Sequence, residues 1–129
     1  MTVLVVDAAN VVGSRPDGWW RDRAGAAARL LGRLAGLAGT ELGGPDGPVS
    51  VTEVVAVVEG QARAVPAPDG VRVVRADGSG DDALVAWVAS AAGPVLVVTA
   101  DRGLRARLPA GVEVAGPGWL LGELDRRSI

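Results

Sequence analysis

Runs of apolar, mostly β-branched residues divide the chain and predict its strands. They are TVLVV at 2–6, VTEVVAVV at 51–58, VRVVRA at 71–76 and VLVVT at 95–99, with a weaker run, VEVAG, at 112–116. The first, second and fourth runs are continuously hydrophobic rather than alternating, which indicates strands buried on both faces. Such strands are typical of a parallel sheet that is covered by helices.

Segments with helical periodicity lie between these runs. In DRAGAAARLLGRLAGLAG at 22–39, apolar residues recur at intervals of three and four: Ala24, Ala27, Ala28, Leu31, Leu34, Ala35 and Ala38. In DDALVAWVASAAG the stripe is Leu84, Trp87, Val88 and Ala91. Shorter helices are predicted in RGLRARL and GWLLGELDRR. The alternation of strands and helices predicts a doubly wound α/β sheet with right-handed crossovers.

Two segments rich in glycine and proline are predicted to be loops, TELGGPDGPVS at 40–50 and AVPAPDG at 64–70. A parallel crossover normally needs about a dozen residues or more. The connection from Glu59 to Val71 barely supplies them, so the pairing of the second and third strands stays open.

The composition restricts the chemistry that is available. The 129 residues suit a single domain spanning 1–129, and they include no cysteine, histidine or lysine. These absences exclude thiol and Ser-His nucleophiles, Schiff bases, zinc fingers and the Walker lysine. Carboxylates that hold a hard cation such as Mg²⁺ or Mn²⁺ are the catalytic chemistry that remains. No apolar run approaches a membrane span and no secretory signal opens the chain, so we expect a soluble, cytoplasmic protein.

The net charge of −2 argues against a nucleic-acid interface that covers the whole surface, but it allows a local one. Between Arg15 and Arg33 there are five arginines and two aspartates, and Arg102, Arg105 and Arg107 form a second group.

A carboxylate follows each of the three buried runs: Asp7 after VLVV, Glu59 after VVAVV and Asp101 after VLVVTA. Parallel strands end at the same edge of a sheet, where open α/β sheets bind their ligands. We therefore expect these acids to converge with Asp81 or Asp82, at the start of the next predicted helix. Acids at close quarters repel one another unless a cation neutralises them, so the pattern predicts a divalent-metal site.

Helix capping is the alternative interpretation of several of these residues. Ser79 and Asp82 have the spacing of a capping box, and Asp81 and Asp82 would both suit the positive end of a helix dipole. Asp101 is a candidate N-cap. Asp7 is harder to explain in this way, because an acid that ends a buried strand is not an ordinary surface charge.

The segment GSGDDA at 78–83 also matches the dinucleotide fingerprint G-x-G-x-x-A. In such sites a pyrophosphate sits on the helix N-terminus. Asp81 and Asp82 in the first turn would oppose that anion, which disfavours dinucleotide binding.

Four motifs in the order VLVVDAANVVGS, VVEGQAR, GSGDDALVA and VVTADRGL resemble the NYN branch of PIN-like nucleases, especially the small bacterial proteins related to YacP. The resemblance runs from Val3 to about Leu108. It implies a three-layer PIN-like (Rossmann-like) domain, with a mainly parallel central sheet of four to five strands flanked by helices. It also implies cleavage of RNA phosphodiester bonds with Mg²⁺ or Mn²⁺.

Matched residue by residue, the resemblance implies that Asp7, Asp82 and Asp101 are catalytic acids. The implied metal-site residues are Asp7, Glu59, Asp81, Asp82 and Asp101, and Asn10 is an orienting group. Whether Asp81 or Asp82 turns inward stays open, because one residue is a rotation of about 100° on a helix. The family often has an aromatic residue or glycine where this chain has Ala8 and Ala9.

Other polar residues are candidates for contact with the substrate. Arg63 and Arg102 lie just beyond strand ends, where guanidinium groups could bind phosphate oxygens, and Ser79 lies in the glycine-rich turn. Arg75 is a poorer candidate because it lies inside a predicted strand.

The tryptophans have two interpretations. Trp19 and Trp20 could stack unpaired bases, or they could fasten the first long helix to the sheet. Trp87 and Trp119 are assigned to the core.

These observations together predict a metal-dependent ribonuclease that acts on RNA, in particular single-stranded RNA, and that binds no membrane. A homodimer is left open. One alternative is a PIN-like module that binds RNA or a protein partner without cutting, and another is the toxin of a toxin-antitoxin pair.

Overall fold

The computed structural model describes residues 1–127 and confirms the α/β fold class. The strands are β1 (Thr2–Asp7), β2 (Glu41–Gly44), β3 (Gly47–Val58), β4 (Val71–Arg75), β5 (Val95–Val98) and β6 (Glu113–Ala115). The α-helices are α1 (Ala8–Val12), α2 (Arg23–Leu34), α3 (Gly80–Ser90), α4 (Arg102–Arg107) and α5 (Pro117–Arg127). Short 3₁₀ turns lie at Trp19–Arg21 and Gly60–Ala62.

The central sheet is mostly parallel and has β1 in its middle. Strands β3, β1, β5 and β6 are neighbours in that order, and all of these pairs are parallel. Strand β4 joins β3 in parallel, whereas β2 pairs with the first residues of β3 in antiparallel. The chain leaves β1 toward β3 and later toward β5, on opposite sides. Doubly wound sheets bind their ligands beside the carboxyl ends of the strands at which the chain changes direction in this way.

Both faces of the sheet are buried, as the continuous apolar runs predict. In β1, Leu4 and Val6 pack into the cluster that includes Leu31 of α2, while Val5 packs into the cluster that includes Leu84 of α3. The predicted apolar stripe of α3 is confirmed. Leu84 and Val88 belong to this second cluster, and Trp87 and Ala91 pack against it. Burial on two faces removes the alternation that a half-exposed strand would show.

The second and third predicted strands correspond to β3 and β4, and they pair in parallel. Their connection contains a 3₁₀ turn instead of a long crossover helix. The Arg75 Nη1 atom donates hydrogen bonds to the carbonyl oxygens of Arg63 at 2.6 Å and of Val65 at 2.7 Å. Arg75 therefore holds the short connection against the strand edge, and Val65 is buried beneath it.

The prediction of a loop at 40–50 was wrong, because this segment forms β2, a tight turn and the start of β3. Gly44 pairs with Gly47, which leaves Pro45 and Asp46 as the two central turn residues. Proline at the first central position of a β-turn and glycine at its last position are both common. The Gly/Pro content obscured the alternating burial of Leu42 and Val49 in this hairpin.

The buried face of α2 also differs from the prediction. Ala28 and Ala38 are exposed, whereas Ala26 and Leu30 are buried in their place. The helix ends at Leu34. Alanines mark a helix face weakly because they are small, so the leucines decide which side packs on the sheet.

We expect Glu123→Ala to lower the free energy of unfolding by about 1–3 kcal/mol, because it leaves a backbone donor without a partner. The buried Glu123 carboxylate accepts a hydrogen bond from Gly43 N at 2.7 Å and pairs with Arg126, while Trp119 Nε1 donates to Gly43 O at 2.7 Å. Urea unfolding measures the change. Glu113→Ala, at an exposed strand position, is the control, and equal destabilisation by both variants would contradict this role.

Candidate active site at the carboxyl edge of the sheet

The sheet register places three acids at the ends of three adjacent strands. Asp7 is the last residue of β1 and lies opposite Val57 of β3, two residues before Glu59. Val6 lies opposite Val98 of β5, so Asp7 is beside Thr99, and Asp101 follows two residues later. Glu59, Asp7 and Asp101 therefore occupy one edge of the sheet. We refer to this region as the acidic edge.

Asp7 is held in place by a network that crosses from β1 to the end of β5. Its Oδ2 atom accepts a hydrogen bond from Thr99 Oγ1 at 2.9 Å, and its Oδ1 atom accepts one from Asn10 N at 3.4 Å. Asn10 Oδ1 accepts from Ala100 N at 2.8 Å, and Thr99 Oγ1 accepts from Asp101 N at 3.1 Å. The side chain of Asn10 thus orients the loop that carries Asp101. Only its backbone amide contacts the Asp7 carboxylate.

Thr99 is the residue of this network that sequence reasoning missed. It is fully buried, and its hydroxyl links the Asp7 carboxylate to the backbone amide of Asp101. The available signal was a hydroxyl residue at the end of a buried apolar strand, two residues before a loop acid. A buried polar group at such a position needs a hydrogen-bond partner, and Asp7 is that partner.

Glu59 connects the acidic edge to the beginning of α3. Its Oε2 atom accepts a hydrogen bond from Gly80 N at 2.9 Å. A Cβ atom on residue 80 would lie 2.7 Å from Glu59 Oε1, so a larger residue there would have to displace the Glu59 carboxylate. This hydrogen bond ties the Glu59 carboxylate to the first residue of α3.

The two neighbouring aspartates of α3 face different surroundings. Asp82 pairs with Arg107 at 2.7 Å, and its side chain is 69% exposed. Asp81 is less exposed, and the negative charges of Asp101 and Glu59 act on it. The helix thus turns Asp81 toward the acidic edge and Asp82 toward α4.

Burial and mutual repulsion raise the proton affinity of two of these acids. Burial raises the pKa of Asp7 above 3.8; hydrogen bonds from Thr99 and Asn10 lower it, and the charges of Asp81 and Glu59 raise it further. The pKa of Asp81 is also raised, first by burial and then by Asp101 and Glu59, while Arg107 opposes the shift. Concentrated negative charge of this kind is typical of functional sites.

Capping explains part of the arrangement. Asp101 Oδ1 caps α4 by accepting from Leu104 N at 3.0 Å, and Asp7 caps α1. Ser79 Oγ caps α3 by accepting from Asp81 N at 3.1 Å and Asp82 N at 3.4 Å. These contacts leave the Asp81 carboxylate without a hydrogen-bond or ion-pair partner among residues 1–127.

The arginines predicted to contact substrate lie on the surface. Arg63 is paired with Asp77 at 3.1 Å, whereas Arg102 is exposed beside Asp101. Arg75 binds backbone carbonyls, as described above. Arg102 is thus the better placed of the two predicted phosphate contacts.

The tryptophans separate into two groups. Trp87 and Trp119 are partly buried and pack against the two core clusters. Trp19 and Trp20 contact each other edge to face, with ring centroids 5.8 Å apart, and Trp20 is 49% exposed.

The donors at the acidic edge suit a hard divalent cation, because they are carboxylate oxygens. Within residues 1–127, however, no three acidic residues are grouped so that they could hold a metal ion by themselves. Mg²⁺ is commonly bound by one or two carboxylates, with waters and substrate phosphates completing the shell. The donor set therefore fits a cation shared with a phosphate, and it does not fit an all-protein metal centre.

No protein-family model and no curated protein matches the sequence. Among solved structures, the fold is similar to that of Rae1 (YacP) from Bacillus subtilis, with a TM-score of 0.70 and 19% sequence identity. The similarity covers 98% of this chain and 76% of that protein. At this level of identity the comparison establishes the fold, which is the fold of the family that the sequence motifs resemble.

None of the helices described for residues 1–127 is long and apolar enough to cross a membrane.

Proposed function

We propose that this protein is a ribonuclease that hydrolyses phosphodiester bonds of single-stranded RNA at the acidic edge. The observation that carries the proposal is the convergence of Asp7, Glu59, Asp81 and Asp101 from three adjacent strands and the start of α3. The pKa values of Asp7 and Asp81 are both raised, first by burial and in addition by the negative charges of neighbouring acids. The similarity of the fold to Rae1 (YacP) supports it, because the sequence motifs resemble the same group of nucleases.

In this proposal one or two of the carboxylates of Asp7, Asp81 and Asp101, together with water and a phosphate of the RNA, would hold Mg²⁺ or Mn²⁺. The cation would lower the pKa of a bound water and stabilise the charge that develops on the phosphate. Asp7 is the fixed member, because the Thr99 hydroxyl and the backbone amide of Asn10 orient its carboxylate. Asp81 supplies a carboxylate that is not engaged elsewhere, and Glu59 fixes the start of α3 on which Asp81 stands.

The surrounding residues would bind and orient the RNA. Arg102 is exposed next to Asp101 and can bind a phosphate oxygen. No histidine is required, because metal-bound water replaces a histidine base. The Ser79 Oγ atom accepts two backbone hydrogen bonds at the start of α3, and its O–H is left to donate to a phosphate oxygen of the RNA.

Cleavage of a single-stranded RNA oligonucleotide tests the proposal. We expect products with Mg²⁺ or Mn²⁺, and none when EDTA is in excess. Gel electrophoresis of an end-labelled RNA measures this, and calcium in place of magnesium serves as a control for simple charge neutralisation. Cleavage that is unaffected by EDTA would contradict the proposed dependence on a metal ion. The absence of cleavage under all conditions would contradict the proposed ribonuclease activity.

A module that binds RNA without cutting is the second candidate function. It is favoured by the capping contacts of Asp7 and Asp101 and by the lack of a three-carboxylate group within residues 1–127. This module would bind the same RNA with equal affinity in Mg²⁺ and in EDTA, and the RNA would stay intact.

A further inference from the structure

A cavity of about 410 Å³ lies directly beside the acidic edge. Trp19, Arg23, Ala27, Gln61 and Glu59 contribute to its wall. Its volume is within the range of about 300–1,000 Å³ that is typical of small-molecule sites. Ala8, which follows Asp7 in the chain, also lines it, so the cavity and the acidic edge share a wall.

The wall combines flat surfaces with hydrogen-bonding groups. The Arg23 guanidinium lies over the Trp19 ring, 4.7 Å from its centroid. Aromatic rings such as indole and the planes of guanidinium groups are surfaces on which proteins stack unpaired bases. Alanines elsewhere in the wall leave room for a planar group.

Two polar side chains in the wall can contact the edge of a base. Gln61 is exposed, and its amide has no hydrogen-bond partner in the range 1–127. Glu59 uses its Oε2 atom for Gly80 N, which leaves Oε1 as an acceptor for an exocyclic amine. Arg23 has no carboxylate partner among the described residues, so its charge is available to the nucleic acid.

We propose that this cavity binds one unpaired nucleobase of the RNA strand whose backbone crosses the acidic edge. The inference rests on the proposed function in one respect, that the ligand is RNA. A base stacked against Trp19 and Arg23 would place its own backbone next to Ala8 and therefore next to Asp7. The cavity would then determine which phosphate lies at the acids.

Binding is measured in EDTA, so that cleavage plays no part. The probe is a fluorescein-labelled single-stranded RNA of about ten nucleotides, a length within the range that single-strand sites cover. We expect Trp19→Ala to weaken binding about fivefold or more, because base stacking on an aromatic ring is lost. Trp20→Ala is the matched control, since Trp20 does not line the cavity, and it should stay within about twofold of the unaltered protein.

A second pair of variants covers the case in which Trp19→Ala does not fold. Arg23→Ala removes a charge and a stacking surface from the cavity, whereas Arg29→Ala removes the same charge from the same helix outside it. Only Arg23→Ala should weaken binding beyond the loss that one charge causes. Circular dichroism verifies that each variant is folded.

An abasic oligomer of the same length and charge completes the test. We expect the unaltered protein to bind it about fivefold or more weakly than the RNA, and Trp19→Ala to show a smaller difference in affinity between the two probes. Equal affinity of the unaltered protein for both probes would overturn the base site, whatever the cleavage assay shows. Base-dependent binding without cleavage would support the base site and overturn the nuclease, and no RNA binding at all would overturn both.

Discussion

Replacement of Asp7 by asparagine is expected to lower the rate of RNA cleavage by about a hundredfold or more, the scale of loss seen when a central electrostatic group is removed. Asp7 is the most buried carboxylate of the acidic edge, and two hydrogen bonds fix its orientation. Asparagine keeps the size of the side chain but cannot carry the negative charge that a cation requires. Initial rates of cleavage at saturating Mn²⁺ measure the effect.

The stability of the same variant shows whether the lost rate is due to unfolding. The pKa of Asp7 is raised in the folded protein, mainly by burial. Its contribution to stability is therefore fully present below the unfolded pKa and is lost as the pH rises through the folded pKa. Asparagine has no such loss, so Asp7→Asn should be more stable than the unaltered protein at pH 7, and this advantage should vanish in acid.

Urea unfolding at several pH values between about 3 and 7 checks this sign. Asp69→Asn, which removes one charge from an exposed loop, is the control and should change neither the rate nor the pH dependence. If Asp7→Asn is less stable than the unaltered protein at pH 7, the loss of activity has a structural cause. If it cleaves RNA at the unaltered rate, Asp7 is not part of the active site.

The central strands and the acidic edge could be predicted because their cause is local in the sequence. Burial on both faces makes β1 and β5 continuous apolar runs, and each run stops where a carboxylate follows. Parallel strands end at the same edge of a sheet, so the convergence of Asp7, Glu59 and Asp101 on one edge followed from the parallel arrangement alone. The hairpin of β2 could not be recognised in the same way, because its turn residues dominate its composition.

The inward direction of Asp81 could not be predicted, because it depends on contacts between distant segments. Ser79 caps α3, and Glu59, 21 residues before Gly80, binds the first amide of the helix. These two contacts set the rotation of α3 about its axis. Arg107, 25 residues after Asp82, then pairs with the outward aspartate. The Ser79 cap has a recognisable spacing, but the contacts of Glu59 with Gly80 and of Arg107 with Asp82 have no fixed spacing that a sequence motif would reveal.

The adjacent aspartates allow a direct comparison in which only the direction of the side chain differs. We expect Asp81→Asn to lower the cleavage rate about tenfold or more, because it removes an unpaired carboxylate that faces Asp101 and Glu59. Asp82→Asn should stay within about twofold, since it removes only an exposed ion pair with Arg107, which is worth about 0–1 kcal/mol. Both substitutions remove one charge from the first turn of the same helix, so dipole effects are matched.

Single-turnover cleavage rates and Mn²⁺ titrations of both variants separate the alternatives. A larger loss in Asp82→Asn than in Asp81→Asn would mean that α3 rotates, or that the Arg107 pair opens, when RNA binds. Arg107→Ala distinguishes these two cases. If the pair opens, this variant frees Asp82 in advance, and the cleavage rate should stay the same or rise. If α3 instead rotates and Arg107 moves with Asp82 to the substrate, Arg107→Ala should lower the cleavage rate, as Asp82→Asn does.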